Sequence, residues 1–300
     1  MLTYTSSRNL FGSLTNNTTT TNLTFGDSLI NTSIKYYCAL NGGKWWFLEK
    51  LTTQDTVASQ QAYVLPQSTR KIIDLYVTVG STVYSPVGIE DPALWKRILQ
   101  SNLGTGDRTL FYYRQGNQVL LAPTPASASN TITIRVRKNV KDLSVADYTT
   151  GTITATNGDE TIVGAGTTFT VAMEERFLRA TTGDMEWYEI EDFTDTTHLE
   201  LVQKYEGTTV AGSAFIIGQV SPLPETYQEL PILRAVALYW KKEGDTNRAR
   251  LFDEQAAILF DAMKQEADEK IEGAYLPPIG SMIFRDPNLP EPDTSTSNFT

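Results

Sequence analysis

Three hundred residues exceed what one hydrophobic core usually serves, so two domains, or one domain carrying a sizeable insertion, are expected. A net charge of −10 with ordinary apolar (40%) and charged (20%) fractions excludes a phosphate-gripping basic surface and describes a globular chain able to bury a real core. One cysteine, no apolar run near the roughly 20 residues of a bilayer span, and neither a basic start nor an apolar stretch in the first 26 residues set aside disulfide scaffolding, membrane insertion and a signal peptide.

Residues 1–25 are expected to form an N-terminal arm, because TNNTTTTNLT at 15–24 offers almost nothing to bury. From Asp27 or Ser28, either of which can act as an N-cap, Leu29, Ile30, Ile34, Tyr37 and Cys38 recur at helical spacing until Gly42-Gly43. Cys38 thus falls on the apolar stripe, and Trp45-Trp46-Phe47-Leu48 reads as the plug of a core. In the next stretch Ile73, Leu75, Val77 and Val79 share one strand face, and Gly80-Ser81 supplies a hairpin turn. Asp91-Pro92 opens a short helix with Leu94, Trp95, Ile98 and Leu99 on one face. A second hairpin runs from Phe111 through Gln115-Gly116-Asn117 to Leu121, and Ile132, Ile134 and Val136 alternate against Thr133, Arg135 and Arg137.

Residues 148–220 change character. Short strands separated by turn signals at Asn157-Gly158-Asp159, Gly164 to Gly166, Thr182-Gly183-Asp184 and Glu206-Gly207 mark a small all-β module with core candidates Phe177, Trp187, Tyr188, Ile190 and Leu201. Twelve carboxylates against Arg176, Arg179 and Lys204 place nine of the chain's net negative charges in this stretch. Helical periodicity returns after Pro222 and Pro224: Ile232, Leu233, Val236, Ala237 and Trp240 lead to Gly244. Then Ala249, Phe252, Ala256, Leu259 and Met263 follow 3-4-3-4 spacing, giving a helical hairpin that packs on the helix near residue 34. From Gly273 periodicity is lost, and prolines 277, 278, 287, 290 and 292 make an extended tail. Its apolar residues Tyr275, Leu276, Ile279, Met282, Ile283 and Phe284 have no regular element in which to be buried, so the tail is expected to bind elsewhere.

No catalytic constellation emerges. The single histidine, His198, lies in the alternating segment HLEL and reads as a solvated strand residue, and one Cys with one His cannot build a structural zinc site. Gly164-Ala165-Gly166 is followed by no phosphate-loop pattern. The carboxylate pairs Glu174/Glu175, Glu186/Glu189 and Glu189/Glu191 could serve acid/base work or calcium but lack any supporting motif, and read as solvated surface. No cofactor and no metal are expected.

The order GKWWFL (43–48), AYVLP (62–66), IDLYV (73–77), FYYRQGNQVLLAPTPA (111–126), ITIRVRKNVKDL (132–143) and ELPILRAVALYWKKEGD (229–245) resembles the phage head-to-tail adaptor family, which includes podophage tail tubular protein A and portal-bound siphophage connectors. The resemblance covers about residues 15–272, and TGTITATNGDETIVGAGTTFT with GDMEWYEI and KYEGTT resembles a β module inserted in some phage adaptor and tail proteins.

That resemblance implies a non-enzymatic virion protein of the head-tail junction, assembled in the bacterial cytoplasm. About twelve copies would form a closed homo-oligomeric ring that docks on the portal protein, lets double-stranded DNA pass and receives the next tail, nozzle or stopper protein. The expected fold is α+β: an adaptor core at 26–147 and 221–272 made of a helical bundle with antiparallel hairpins, a β insert at 148–220, and an arm at 273–300. Tyr275, Leu276, Ile279, Met282, Ile283 and Phe284 of that arm are the expected contacts to portal or neighbouring subunit. The alternative is a binding module that recognises glycan or another surface ligand through Trp187, Tyr188 or Tyr205 of the insert.

Overall fold

The computed structural model describes residues 1–101 and 103–272. Its α+β architecture is a helical layer, two four-stranded sheets and a seven-stranded sheet. The first 25 residues are not an arm. They form α1 (Tyr4–Thr15) and the start of α2 (Thr20–Ala39). The polar run that suggested exposure supplies helix ends: Thr3 and Thr19 are side-chain N-caps, and Asn16 turns the chain in the left-handed region (φ 51°). Asn22 is buried because its Nδ2 donates to Thr15 Oγ1 and the Asn17 carbonyl. Phe11 then enters the core edge-on to Tyr239, with ring centroids 5.9 Å apart, and Gly26 leaves room for its ring.

α4 (Leu230–Glu243) ends at left-handed Gly244 and doubles back into α5 (Thr246–Glu272), with α1 and α2 packed on α4. Ile34, Tyr37, Cys38, Trp45, Val236, Ala256 and Met263 share this core. Trp45 is its plug as expected: it stacks on Phe47, and its indole N–H donates to the Tyr37 carbonyl at 3.0 Å. Burial pushes the Cys38 thiol up to about 12, so it is a packing residue.

Eight strands follow from residue 49: β1 (Glu49–Asp55), β2 (Ala62–Val64), β3 (Thr69–Val79), β4 (Thr82–Tyr84), β5 (Val87–Ile89), β6 (Phe111–Gln115), β7 (Gln118–Ala122) and β8 (Thr131–Lys138). They make sheets of order β1-β8-β3-β4 and β2-β7-β6-β5, whose apolar faces share one core. Leu75 and Val77 point inward as the alternation predicts, but Ile73 is exposed and Ile72 is buried in its place. Irregular register against β8 between Ile72 and Asp74 resets the side-chain phase, which a strict period of two cannot anticipate. Between β5 and β6 lies α3 (Pro92–Gln100), capped by Asp91. Its expected apolar face is split: Trp95 stacks on Tyr113 at 5.5 Å, while Leu94 and Leu99 face outward.

The third sheet contains β9 (Thr152–Ala155), β10 (Thr161–Ala165), β11 (Phe177–Ala180), β12 (Tyr188–Asp195), β13 (His198–Leu201), β14 (Val210–Ser213) and β15 (Phe215–Gly218), in the order β14-β9-β10-β13-β12-β11-β15. Its two edge strands are separated in sequence by Ala214 alone, so the sheet curls until its edges approach each other. The interior is filled by Ile153, Phe169, Leu178, Tyr188, Tyr205 and Phe215. Of the expected core residues, Tyr188, Ile190 and Leu201 are buried, whereas Phe177 and Trp187 are half-buried.

Candidate docking surfaces

The residues with potential chemistry are spread through the fold rather than gathered at one centre. His198 opens β13 directly after the turn from β12, its Nδ1 within hydrogen-bond distance of the Asp195 carboxylate and the Thr197 hydroxyl, as a strand residue at the surface. Tyr188 and Tyr205 lie in the β core, where the Tyr188 hydroxyl donates to Asp184. Trp187 is covered on one ring face by the Arg179 guanidinium, 4.8 Å from the ring centroid. Glu186 and Glu191 are exposed, and irregular register between Ile190 and Asp192 interrupts the two-residue spacing by which Glu189 and Glu191 were expected to share a face. Among the described residues no group of three or more His, Cys, Asp or Glu side chains could hold a metal ion.

The Glu174/Glu175 pair divides into two environments. Burial raises the pKa of Glu174, opposed in part by a backbone N–H from Phe193. Burial also acts to raise that of Glu175, but hydrogen bonds and charge from Lys138 and Lys141 outweigh it and bring the carboxyl to about 2. Lys138 and Lys141 each lie 2.7 Å from Glu175, and Lys50 lies 3.5 Å away. The residue is thus a structural clamp between the curled sheet and the β1/β8 end of the adjoining sheet. It was read as solvated surface, because its partners come from 34 to 125 residues away. The basic run RVRKNVK was the one hint in the sequence. Beside the clamp is a cleft of about 410 Å³, with Phe47, Leu48, Arg176, Phe177, Glu189 and Leu223 among its walls.

Apolar side chains are exposed at many points of the fold, and two of these places involve helices. One is around α3, where Val83, Val87, Leu94, Leu99 and Leu103 are all exposed within one stretch of chain. The other is the outer side of α5, where Leu251 is 52% and Ile258 70% exposed. Singly exposed aliphatic residues are ordinary, whereas a contiguous exposed apolar patch marks a surface that meets a partner. Tyr275, Leu276, Ile279, Met282, Ile283 and Phe284, the expected docking residues, lie outside the described residues.

The model of the family described as SU10 adaptor protein matches residues 3–192, well over half of the chain. The chain belongs to the SU10 adaptor protein family. This is a phage head-to-tail adaptor family, so the resemblance seen in the ordered motifs stands, and the protein is a structural virion component. In this SU10 adaptor the match takes in α1, α2, both four-stranded sheets and the curled sheet as far as β12, while α4 and α5 lie beyond it. No curated protein matches the chain. No helix among the described residues is long and apolar enough to cross a membrane.

Proposed function

We propose that this SU10 adaptor assembles as a closed ring of about twelve copies that docks on the phage portal, prolongs the DNA channel and presents a surface to the next tail component. The family match over residues 3–192 carries this reading. The exposed aliphatic side chains around α3 and along α5 support it, because a subunit that lives in a ring needs apolar surface to bury against its neighbours. A net charge of −10 suits a channel, since an excess of carboxylates over cations disfavours retention of the phosphates of passing duplex. The role is mechanical and calls for no catalytic group. Glycan recognition finds no support in the geometry: Tyr188 and Tyr205 are core residues, and Trp187 is occupied by Arg179.

Two further parts of the reading concern organisation. Residues 148–220 act as an insert in an adaptor core formed by 26–147 and 221–272, and 273–300 act as an assembly arm whose apolar residues engage the portal or an adjacent subunit. Electron microscopy of purified chain mixed with portal rings tests the whole. Added density on one face of the portal is expected with the full chain and is lost on deletion of 274–300. Undecorated portal with the full chain overturns the docking, and normal decoration by the truncated chain overturns the arm.

A further inference from the structure

Alternation along β8 divides the cations of RVRK between two faces of its sheet. Lys138 meets the chain's own curled sheet through Glu175, whereas Arg135 lies on the face turned away from the core that Ile134 and Val136 enter. Register sets Leu51, Arg135 and Asp74 side by side across β1, β8 and β3. The irregularity after Ile72 turns Ile73 outward as well, so Arg135 stands between two aliphatic side chains, Leu51 at 52% and Ile73 at 37% exposure. Arg137 is paired with Glu49, and the Asp74 carboxylate accepts the Leu75 N–H, while the Arg135 guanidinium makes no ion pair among the described residues.

The outer face of the curled sheet carries the same pattern with the sign reversed. Ile162, Leu199 and Leu201 point into its core, which leaves Val163, Glu200 and Val202 on the outside. Glu200 is registered across from Thr161, whose hydroxyl donates to it at 3.1 Å. Val163 is 42% and Val202 50% exposed, and Glu191 is exposed on neighbouring β12. The separation of charge extends beyond these side chains: eleven Lys and Arg stand against seven Asp and Glu between residues 49 and 145, and three against twelve between 148 and 220.

We propose that the outer face of β1, β8 and β3 of one subunit docks on the outer face of β10, β13 and β12 of the next, with Arg135 opposite Glu200 and the aliphatic pairs closing around them. This rests on the ring reading and names the contact that builds the ring. Opposed sheets pack about 10 Å apart, a gap that an Arg and a Glu side chain span together in a charge-assisted hydrogen bond. The chain's own curled sheet is tied by Glu175 to Lys50 and Lys138, and Leu51 and Ile73 stay exposed, so the acidic face that covers them comes from another copy. Pairing either face with itself would set Arg135 against Arg135 or Glu200 against Glu200, which like charge disfavours. Two different faces in contact make a heterologous interface, the kind that closes into a ring.

The test uses two full-length variants, Leu51→Cys and Val202→Cys, purified separately, mixed with and without portal rings, and joined by a short bis-maleimide. Native Cys38 is buried and does not compete. A cross-linked pair about tenfold more abundant in the mixture than in either variant alone is expected, lost when Arg135→Glu is added to the first variant and restored when Glu200→Arg is added to the second. Restoration separates lost charge pairing from misfolding. No excess in the mixture under either condition overturns the contact, as does an excess that Arg135→Glu leaves unchanged. Electron microscopy reads the ring separately: rings on portal without the cross-link overturn this contact and leave the ring reading standing, whereas the cross-link without rings upholds the contact and overturns the closed ring.

Discussion

At the scale of single residues, Glu175 is the most consequential side chain whose role lies outside its local sequence. It adopts φ 61°, a left-handed conformation unfavourable for a residue with a Cβ, and three lysines converge on its carboxylate. A carboxyl whose folded pKa of about 2 lies below its ordinary 4.5 stabilises the fold above pH 4.5 and loses that contribution as pH falls towards 2. Burial lowers the pKa of Lys138 despite the Glu175 charge, so part of the gain is offset and the net is about 1–2 kcal/mol. Glu175→Gln is therefore expected to lower the urea midpoint at pH 7 by an amount that shrinks steadily between pH 4.5 and pH 2. Equal losses at both ends of that range, measured by fluorescence-detected melts, would exclude the clamp.

At the scale of elements, the N-terminal helix is where composition misleads. Thr and Asn serve equally in a solvated arm and in the caps and turn between two helices, and only Phe11, seated among α1, α2 and α4, separates the two. Phe11→Ala is expected to cost about 3–5 kcal/mol, the value for emptying a large buried aromatic site. An arm residue would cost nothing, so a thermal midpoint equal to the parent's would return α1 to an arm. The α4/α5 hairpin was legible throughout, because Gly244 and the 3-4-3-4 stripe are local signals and the structure uses both. β3 was legible only from Leu75 onward, since its phase is set by how it pairs with β8. The apolar positions of α3 were read correctly as a helical face. Which of them would be covered depended on Tyr113, a residue on another strand.

At the scale of the whole molecule, the chain enters and leaves the curled sheet at adjacent points. Tyr148 and Ile217 exchange backbone hydrogen bonds at 2.9 Å in each direction, and the side-chain core of the curled sheet lies within residues 148–217. Replacing 149–220 by a short Gly/Ser linker is therefore expected to leave a folded remainder with the helical circular dichroism of α1, α2, α4 and α5. The lost links include the Glu175 clamp, the Gln219 contacts to the Asp142 carbonyl and to the Ser144 and Val145 N–H groups, the Tyr4 N–H to the Gln219 carbonyl, and the Thr3–Val220 bridge. A remainder that fails to fold would show that insert and core are one cooperative unit.

By itself the sequence determined the α+β class, the helical hairpin, the strand-rich segment at 148–220, the burial of Cys38 and Trp45, and membership of a phage adaptor family through the order of its motifs. Each of these rests on local periodicity, on capping and turn residues, or on the succession of packing patterns, all carried by neighbours in the chain. Tertiary structure alone decided that the N-terminal residues are helical core, that Ile72 replaces Ile73 inside, that Trp187 is held by Arg179, and that Glu175 gathers three distant lysines. Those outcomes depend on strand register and on which charges from remote segments are brought within a few ångströms of one another, and neither quantity is encoded at a fixed spacing along the chain.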